Sequence, residues 1–330
     1  GAGRRRHGER RNDGRRKTRA FEPAPRDCAG AREFELYYKA QGLVGEAEWE
    51  AFAQAQRTPL PVVARVNVSR PGWSEVQAAF AADPQWQQLP WYPGGLAWVR
   101  HAAAMDAPLQ TRLGELNKTY ALRLQDTASL VPALLLDAGA DDLVLDMAAA
   151  PGGKSLQILE LMAAKAGGDP GSAVKGAIVA NDGDAERAME LLPVIMRKAH
   201  HPGIAVTLGN AAKFPAAFEP APAGVGTRRQ VLFDRILCDV PCSGDGTVRK
   251  APGLLLRWGP QLGGRLHRKQ LAILSRGLHL LKVGGRLVYS TCSLNPIECE
   301  AVVAAALDAF RGAVELVRGA AARLQAAPLQ

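Results

Sequence analysis

Leu143-Val144-Leu145-Asp146-Met147-Ala148-Ala149-Ala150-Pro151-Gly152-Gly153-Lys154-Ser155 is the stretch that decides the fold. Leu143 to Asp146 reads as a short buried strand, the small residues and Pro-Gly-Gly interrupt it, and Lys154 to Ala166 has the spacing of a helix. The same alternation continues downstream. Ala177 to Ala180 predicts a strand, Ala185 to Ala199 a helix and Ile204 to Thr207 a third strand. A Pro/Ala/Gly-rich connection at 219–227 predicts a surface loop. Strand Asp234–Cys238, helix Gly264–Leu281, strand Gly285–Ser290 and helix Ile297–Arg311 follow. Strands alternating with helices predict an α/β domain with a parallel, doubly wound sheet over 106–318.

Upstream, Leu109 to Leu116 is helical in pattern, and Gln125 to Pro132 leads into an apolar helix ending at Gly139. Leu60 to Asn67 alternates like a strand, Trp73 to Phe80 like a helix, and Phe34–Gly42 and Glu46–Gln54 form helical pieces. Together these predict a small N-terminal α+β module over 31–105. Pro90-Trp91-Tyr92-Pro93-Gly94-Gly95 predicts a loop whose aromatic rings either join the core or stack on bases.

With 330 residues and 47% hydrophobic content, the chain can bury one large core or two smaller ones. No apolar run reaches the ~18 residues of a membrane span, so no membrane partner is expected. Five cysteines without framework spacing argue for free thiols in a reducing compartment. The net charge of +9 is unevenly placed. Residues 4–19 hold nine Lys/Arg against Glu9 and Asp13, a local +7 that leaves the rest of the chain at +2. Residues 1–30 therefore read as a basic disordered arm, serving solubility, nuclear address or RNA tethering. An opening Gly1 in place of Met is expected of an incomplete gene model or a fragment.

The opening stretch also offers a binding loop. Small residues let the backbone approach a ligand, and the helix N-terminus presents unpaired N–H groups that suit a phosphate or a carboxylate. A P-loop needs Gly-x-x-x-x-Gly-Lys-Ser/Thr, but Ala148 stands where its first Gly belongs, and Pro151 removes an N–H. An acid at the second strand end, Asp182, is placed to hold ribose hydroxyls, or else to cap the next helix. Asn210, after the third strand, can address an adenine edge. A ribose, an adenine and a carboxylate-bearing tail describe S-adenosyl-L-methionine.

Two further strand ends carry chemistry. Leu237-Cys238-Asp239-Val240-Pro241-Cys242-Ser243-Gly244-Asp245-Gly246 and Tyr289-Ser290-Thr291-Cys292-Ser293 each finish an apolar strand in small, polar and sulfur residues. Carboxyl ends of parallel strands line the ligand crevice, so two thiols and a carboxylate are expected to meet there. That set suits attack on an electron-poor ring. Cys28, Cys238 and Cys299 read as apolar filler. A zinc site from the cysteines fits no finger spacing, and no metal is expected. Arg249, Lys250, Arg257, His267, Arg268 and Lys269 read either as a solvated helix face or as phosphate contacts.

With these residues in view, the chain resembles the Sun-domain (Nop/Sun, RsmB-like) RNA cytosine-C5 methyltransferases over residues 30–318. The likeness is densest in Asp146–Ser155, Ala180–Arg187, Phe233–Lys250 and Tyr289–Glu300. Tyr37-Tyr38, Glu46-Ala47-Glu48-Trp49, Pro59-Leu60-Pro61, Trp91-Tyr92-Pro93 and Leu96-Ala97-Trp98 look like the eukaryotic transfer-RNA branch. The resemblance implies a Rossmann-like, class I S-adenosylmethionine-dependent fold acting on RNA, with transfer RNA the expected substrate. It makes Cys292 the nucleophile that adds to cytosine C6, Cys242 the residue that resolves the adduct, and Asp239 the holder of the base edge. It places the cofactor on Ala148, Ala149, Ala150, Pro151, Gly152, Gly153, Lys154, Asp182, Asn210 and Asp239. Two positions depart from the family. Ala148 replaces its usual cysteine, and Asn210 its usual acid, from which weaker cofactor binding is expected.

The rival readings are an inactive RNA-binding or assembly factor retaining the fold, and a DNA cytosine methyltransferase that uses its Pro-Cys cysteine as nucleophile. Retention of Asp239, Cys242 and Cys292 argues against the first, and the added Thr291-Cys292 pair against the second. Ala313 to Val317 could form a sixth strand, but the usual antiparallel seventh is expected to be missing. The tail 319–330 is expected to pack poorly, and any RNA-binding domain beyond it to be absent. A monomer is expected, in the nucleus or nucleolus, with cytoplasm or an organelle as alternatives.

Overall fold

The computed structural model describes Pro23 and residues 27–167, 174–193, 203–218 and 230–317. Most of the basic arm expected over 1–30, with the 219–227 connection and the 319–330 tail, lies outside the described residues; the last two residues of that arm already belong to the first helix. Much of the helix expected over 185–199 lies outside them as well, and its described part holds a π turn at Arg187–Leu191.

Strands β1 (Val62–Val66), β2 (Gln87–Gln88), β3 (Ala97–Arg100) and β4 (Leu122–Leu124) form an antiparallel sheet in the order β2-β3-β1-β4. Helices α3 (Trp73–Ala82) and α4 (Ala107–Lys118) cover it, around Phe80, Trp86, Trp98, Leu113 and Leu122. Helices α1 (Ala29–Gln41) and α2 (Trp49–Ala55) precede this sheet in sequence. They pack elsewhere, with Phe34, Tyr38 and Trp49 against Val248, Leu255 and Trp258 of the second half of the chain. The N-terminal sheet thus extends past the expected boundary at 105, because β1 needs β4 to pair its second edge. A three-residue strand carries too little alternation to be read from sequence. Trp91 and Tyr92 are buried, in a cluster with Val63, Leu89 and Leu130, so they serve the core rather than present a stacking surface.

The main sheet is parallel, with β5 (Leu143–Asp146), β6 (Ala177–Asp182), β7 (Ile204–Leu208), β10 (Phe233–Asp239) and β11 (Leu281–Ser290) in the order β11-β10-β5-β6-β7. A short ribbon, β8 (Ala217–Phe218) with β9 (Gln230–Val231), stands apart. The pleat sends alternate residues to opposite faces. Leu145, Ile236 and Cys238 face α7 (Gln261–Leu280), which contributes Ile273 and Leu280. Val144, Ile178 and Leu237 face α5 (Thr127–Leu136) and α6 (Gly153–Lys165), packing on Ala133, Leu136, Ile158 and Met162. Full burial of side chains such as Leu145 and Ile236 contributes about 1.5–3 kcal/mol each. Helix α8 (Glu300–Ala309) packs on the outer side of α7 through Val302 and Ala306.

This is the Rossmann-like α/β arrangement expected from the sequence. Residues 314–317 take no strand conformation, so among the described residues the sheet has five strands. Chain order runs outward from β5 to β6 and β7, then returns to the other side of β5 as β10. The switch point therefore lies between the carboxyl ends of β5 and β10, where open sheets of this kind bind ligands.

Candidate active site

Asp146 ends β5 and Asp239 ends β10, facing each other across the switch point. Asp239 also sits in register with Ser290, the last residue of β11, whose Oγ donates to Asp239 Oδ1 at 2.7 Å. From β5 the chain turns through 148–152 into α6. Gly152 makes that turn at φ 93°, a left-handed value open to glycine at little cost. Lys154, in the first turn of α6, reaches back and donates to Asp239 Oδ2 at 2.6 Å.

The two sulfurs meet beyond Asp239. Cys242 Sγ and Cys292 Sγ are 3.1 Å apart, and the Cys292 N–H donates to Cys242 Sγ at 3.3 Å. Backbone bonds join the two segments, from Val240 N–H to Ser290 O and from Gly246 N–H to Cys292 O, each 3.0 Å. A side chain at position 246 would bring its Cβ to 2.8 Å from Cys292 O, so the close approach requires glycine.

Two buried carboxylates fix this arrangement. Asp245 accepts from Ser293 Oγ and Leu294 N–H on one oxygen, and from Tyr38 Oη and Trp258 Nε1 on the other. Glu298 accepts from Ser243 N–H and Gln270 Nε2, and shares the single Ser293 hydroxyl proton with Asp245. Each carboxylate therefore ties the Cys242 segment to the Cys292 segment.

The electrostatics separate the thiols. The hydrogen bond from Cys242 lowers the Cys292 thiol to about 7, with the Lys154 ammonium assisting against burial and the Asp239 charge. Cys242, as donor beside that charge and partly buried, is pushed strongly up. The balance favours the proton on Cys242 and negative charge on Cys292, the more exposed of the two residues. Alkylation of Cys292 by iodoacetamide, followed on its own peptide, should rise through about pH 7. In Cys242→Ala the midpoint should move up toward the ordinary ~8.5. An ordinary midpoint in the unaltered protein, or one indifferent to Cys242, would contradict this account.

A cavity of about 620 Å³ opens beside these groups. One wall is Asp146, Ala148, Ala149, Ala150, Pro151, Gly153, Lys154 and Asp239. The facing wall comes from β1, β4 and the segment after it, including Val62, Arg123, Gln125, Asp126 and Ser129. Lys250 lines it too, and its ion pair with Asp126 joins the two walls. Asp146 is buried and takes Ser155 Oγ on Oδ2 at 2.6 Å, and among the described residues its Oδ1 has no hydrogen-bond partner. Burial raises its carboxyl to about 7, and the Asp239 charge adds to the effect.

Asp182 and Asn210 lie at the ends of β6 and β7 and do not themselves line this cavity. Asp182 accepts from Ala150 N–H, Asp184 N–H and Arg187 Nη2, which braces the 148–152 loop. Asn210 Oδ1 takes Ala212 N–H. Of the cysteines read as filler, Cys238 is buried, whereas Cys28 and Cys299 are half-buried and hydrogen-bonded, Cys299 to Thr291 Oγ1. Among the described residues no group of three or more His, Cys, Asp or Glu is placed to hold a metal ion. Among them, too, no helix is long and apolar enough to cross a membrane.

Sequence reasoning passed over Asp146, Asp245, Glu298 and the 123–129 wall. The two inner acids carried a signal, since each lies within or beside a cysteine motif in an otherwise uncharged run. The wall residues carried none, because their role depends on how the two sheets dock.

A family model described as 16S rRNA methyltransferase RsmB/F matches residues 133–326. The multisite-specific tRNA:(cytosine-C(5))-methyltransferase of Saccharomyces cerevisiae is 39% identical over 308 residues, 86% of this chain and 44% of that protein. The tRNA (cytosine(34)-C(5))-methyltransferase of Drosophila melanogaster is 35% identical over 341 residues, covering 95% and 44%. The chain spans about half the length of the curated relatives it matches. Among solved structures, a methyltransferase homolog protein from Pyrococcus horikoshii aligns with a TM-score of 0.62 at 26% identity, over 83% of this chain and 78% of that one. NSun6 from the same organism, solved with SFG, aligns with a TM-score of 0.65 at 19% identity, over 84% and 87%, a likeness of fold.

Proposed function

The chain belongs to the RsmB/F methyltransferase family, and from that premise we propose that it methylates cytosine at C5 in RNA, with transfer RNA the substrate. The observation that carries the reading is the 3.1 Å approach of Cys242 and Cys292 beside the Lys154–Asp239 pair. C5 of cytosine is a poor nucleophile. Addition of a thiolate to C6 converts the ring to an enamine that reacts at C5, which is covalent catalysis.

The residues divide that work. Cys292, held as thiolate by the Cys242 S–H and by Lys154, forms the C6–S bond. Asp239 accepts from the exocyclic amine, and the Lys154 ammonium it holds stabilises the negative charge that the ring gains. After C5 is methylated its hydrogen must leave as a proton, and the C6–S electron pair then returns to Cys292. In this reading Cys242 takes that proton. Its resistance to ionisation arises first from the hydrogen bond to Cys292, and that bond is lost once the Cys292 sulfur carries no charge. The proton of Cys242 can then pass to solvent, leaving a thiolate base.

The methyl donor implied is S-adenosyl-L-methionine, which supplies an electrophilic methyl group. The residues fit it. The cavity has the volume of a small-molecule site, an α-helix N-terminus for a carboxylate, alanine walls, and a buried Asp146 oxygen lacking a partner among the described residues. Ala148 through Lys154, with Asp146 and Asp239, would hold the methionine end, and Asp182 and Asn210 the ribose and adenine. The test is incubation of the protein with S-adenosyl-L-methionine and an unmodified tRNA transcript, followed by nucleoside mass spectrometry. Methyl on cytosine C5 is expected; its absence, or methyl on another atom or base, would reject the reading.

A further inference from the structure

We propose that the exposed cationic face of α7, formed by Arg265, Arg268 and Lys269 with Arg257 just before it, is a track for the phosphates flanking the reacting base; this rests on the reading of the active site given above. Its basis is the placement of charge. From Gly246 to Ile297, between the two buried acids Asp245 and Glu298, the chain has nine Lys/Arg and not one Asp or Glu. Outside this segment and the 4–19 arm, the chain holds 23 Lys/Arg against 30 Asp/Glu. The segment is thus a basic band on an otherwise acidic body.

Five of its nine cations already have partners. Arg249 donates to the Thr58 and Pro59 carbonyls, Lys250 pairs with Asp126, Arg276 donates to Phe214 O, Lys282 pairs with Asp234, and Arg286 pairs with Asp137. The other four are Arg257, Arg265, Arg268 and Lys269. All are exposed, and among the described residues none has an ion pair or side-chain hydrogen bond. Residues 265, 268 and 269 are spaced i, i+3 and i+4, so they share one face, where like charges weaken a helix unless an anion lies across them.

The buried side of the same helix fixes where that face lies. Gln270 Nε2 donates to Pro241 O at 3.0 Å and to Glu298, and His267 Nδ1 lies 2.7 Å from Ile297 O. The helix is thereby fastened to both cysteine segments, one residue from Cys242. The three cations lie within five residues of Gln270, less than about 8 Å along the axis. The cationic face lies across the helix from Gln270, about one helix diameter of 10–12 Å from the cysteine segments, within the span of the phosphates flanking a base delivered to Cys292. Contacts of this kind position a nucleic acid without reading sequence.

The experiment is a salt titration of binding, by fluorescence anisotropy, of an unmodified tRNA transcript to the full chain. The triple variant Arg265→Gln/Arg268→Gln/Lys269→Gln is compared with the unaltered chain. Loss of three phosphate contacts should lower the slope of log K against log salt by about 2, and weaken binding near 0.15 M salt roughly a hundredfold. The double variant Arg265→Lys/Arg268→Lys, which keeps all three charges, should keep both values. The Cys292 alkylation profile serves as the measure that the site is intact, and all three side chains are exposed, so it should not move. Should the triple Gln variant bind with unchanged slope and affinity while the unaltered protein binds RNA, the track is refuted and the methyltransferase reading stands. Failure of the unaltered chain to bind the transcript would count against that reading itself. If the Gln variant shifted the alkylation profile, the single Arg257→Gln variant decides. It should lower the slope by about 0.7 to 0.9, and an unchanged slope would again refute the track.

Discussion

Cys242→Ala should leave RNA joined covalently to the protein, whereas Cys292→Ala should prevent the bond from forming. Both outcomes follow from the sharing of one proton between the two sulfurs. The two sulfurs share one hydrogen bond over 3.1 Å, and the thiol held low is that of Cys292, so Cys292 is the thiolate available to add to C6. Removing it deletes the covalent route and should lower methylation by ~10⁴-fold or more, the scale of losing an enzyme nucleophile. Removing Cys242 also costs Cys292 some of its ionisation, which slows addition. It does not prevent addition, because Lys154 still stands beside the sulfur. What Cys242→Ala removes is the base that takes the C5 hydrogen, so the adduct forms and does not resolve. The readout is a denaturing gel of labelled tRNA transcript incubated with S-adenosyl-L-methionine. A slow band is expected for Cys242→Ala alone, and neither Cys292→Ala nor the double variant should show it. A band given by Cys292→Ala and not by Cys242→Ala would exchange the two roles and favour a nucleophile on the Pro241-Cys242 segment.

Much of this site was legible in the chain before any coordinates, for reasons that differ by residue. Asp239 and Cys292 were readable because parallel strands put their carboxyl ends on one edge, so two motifs some fifty residues apart must converge. The main strands and the loop 148–154 were readable from period and small-residue content. The antiparallel sheet was only partly so. Leu122 to Leu124 is a strand because β1 has an unpaired edge, and nothing within three residues announces that. Helix α1 read as part of a local module, yet its Tyr38 hydroxyl ends on Asp245, 207 residues away. Asp182 shows another limit. A strand-end acid is a fair sign of a ribose site, but the same carboxylate here also braces Ala150, and sequence pattern cannot rank the two duties.

Asp245→Ala should be the most destabilising single change near the site, and Asp245→Asn should recover only about half of the loss. Asp245 is 1% exposed and meets four donors, from Tyr38, Trp258, Ser293 and Leu294. A carboxylate, having only acceptors, satisfies all four. Alanine would leave them unpaired in a closed interior, a loss on the order of 3–5 kcal/mol, and folded domains have only about 5–15 kcal/mol to lose. Asparagine keeps the shape but turns an N–H₂ toward two of those donors, so about half the loss should persist. The consequence reaches the chemistry because the four donors lie on three separate segments. Tyr38 brings α1, Trp258 the approach to α7, and Ser293 with Leu294 the residues after Cys292. Loosening them lets Cys292 drift from Cys242, and the hydrogen bond that lowers its thiol goes with it. Two measurements should therefore move together. The melting temperature of Asp245→Ala should fall by roughly 10 °C, given about 2–4 °C per kcal/mol for a domain of this size. Where the variant is still folded, Cys292 alkylation should shift up from about pH 7 toward ~8.5. A melting temperature within a degree or two of the unaltered protein would show that Asp245 does not hold these segments. A large fall in stability with the alkylation midpoint unmoved would show that the two sulfurs are held together by something other than this carboxylate.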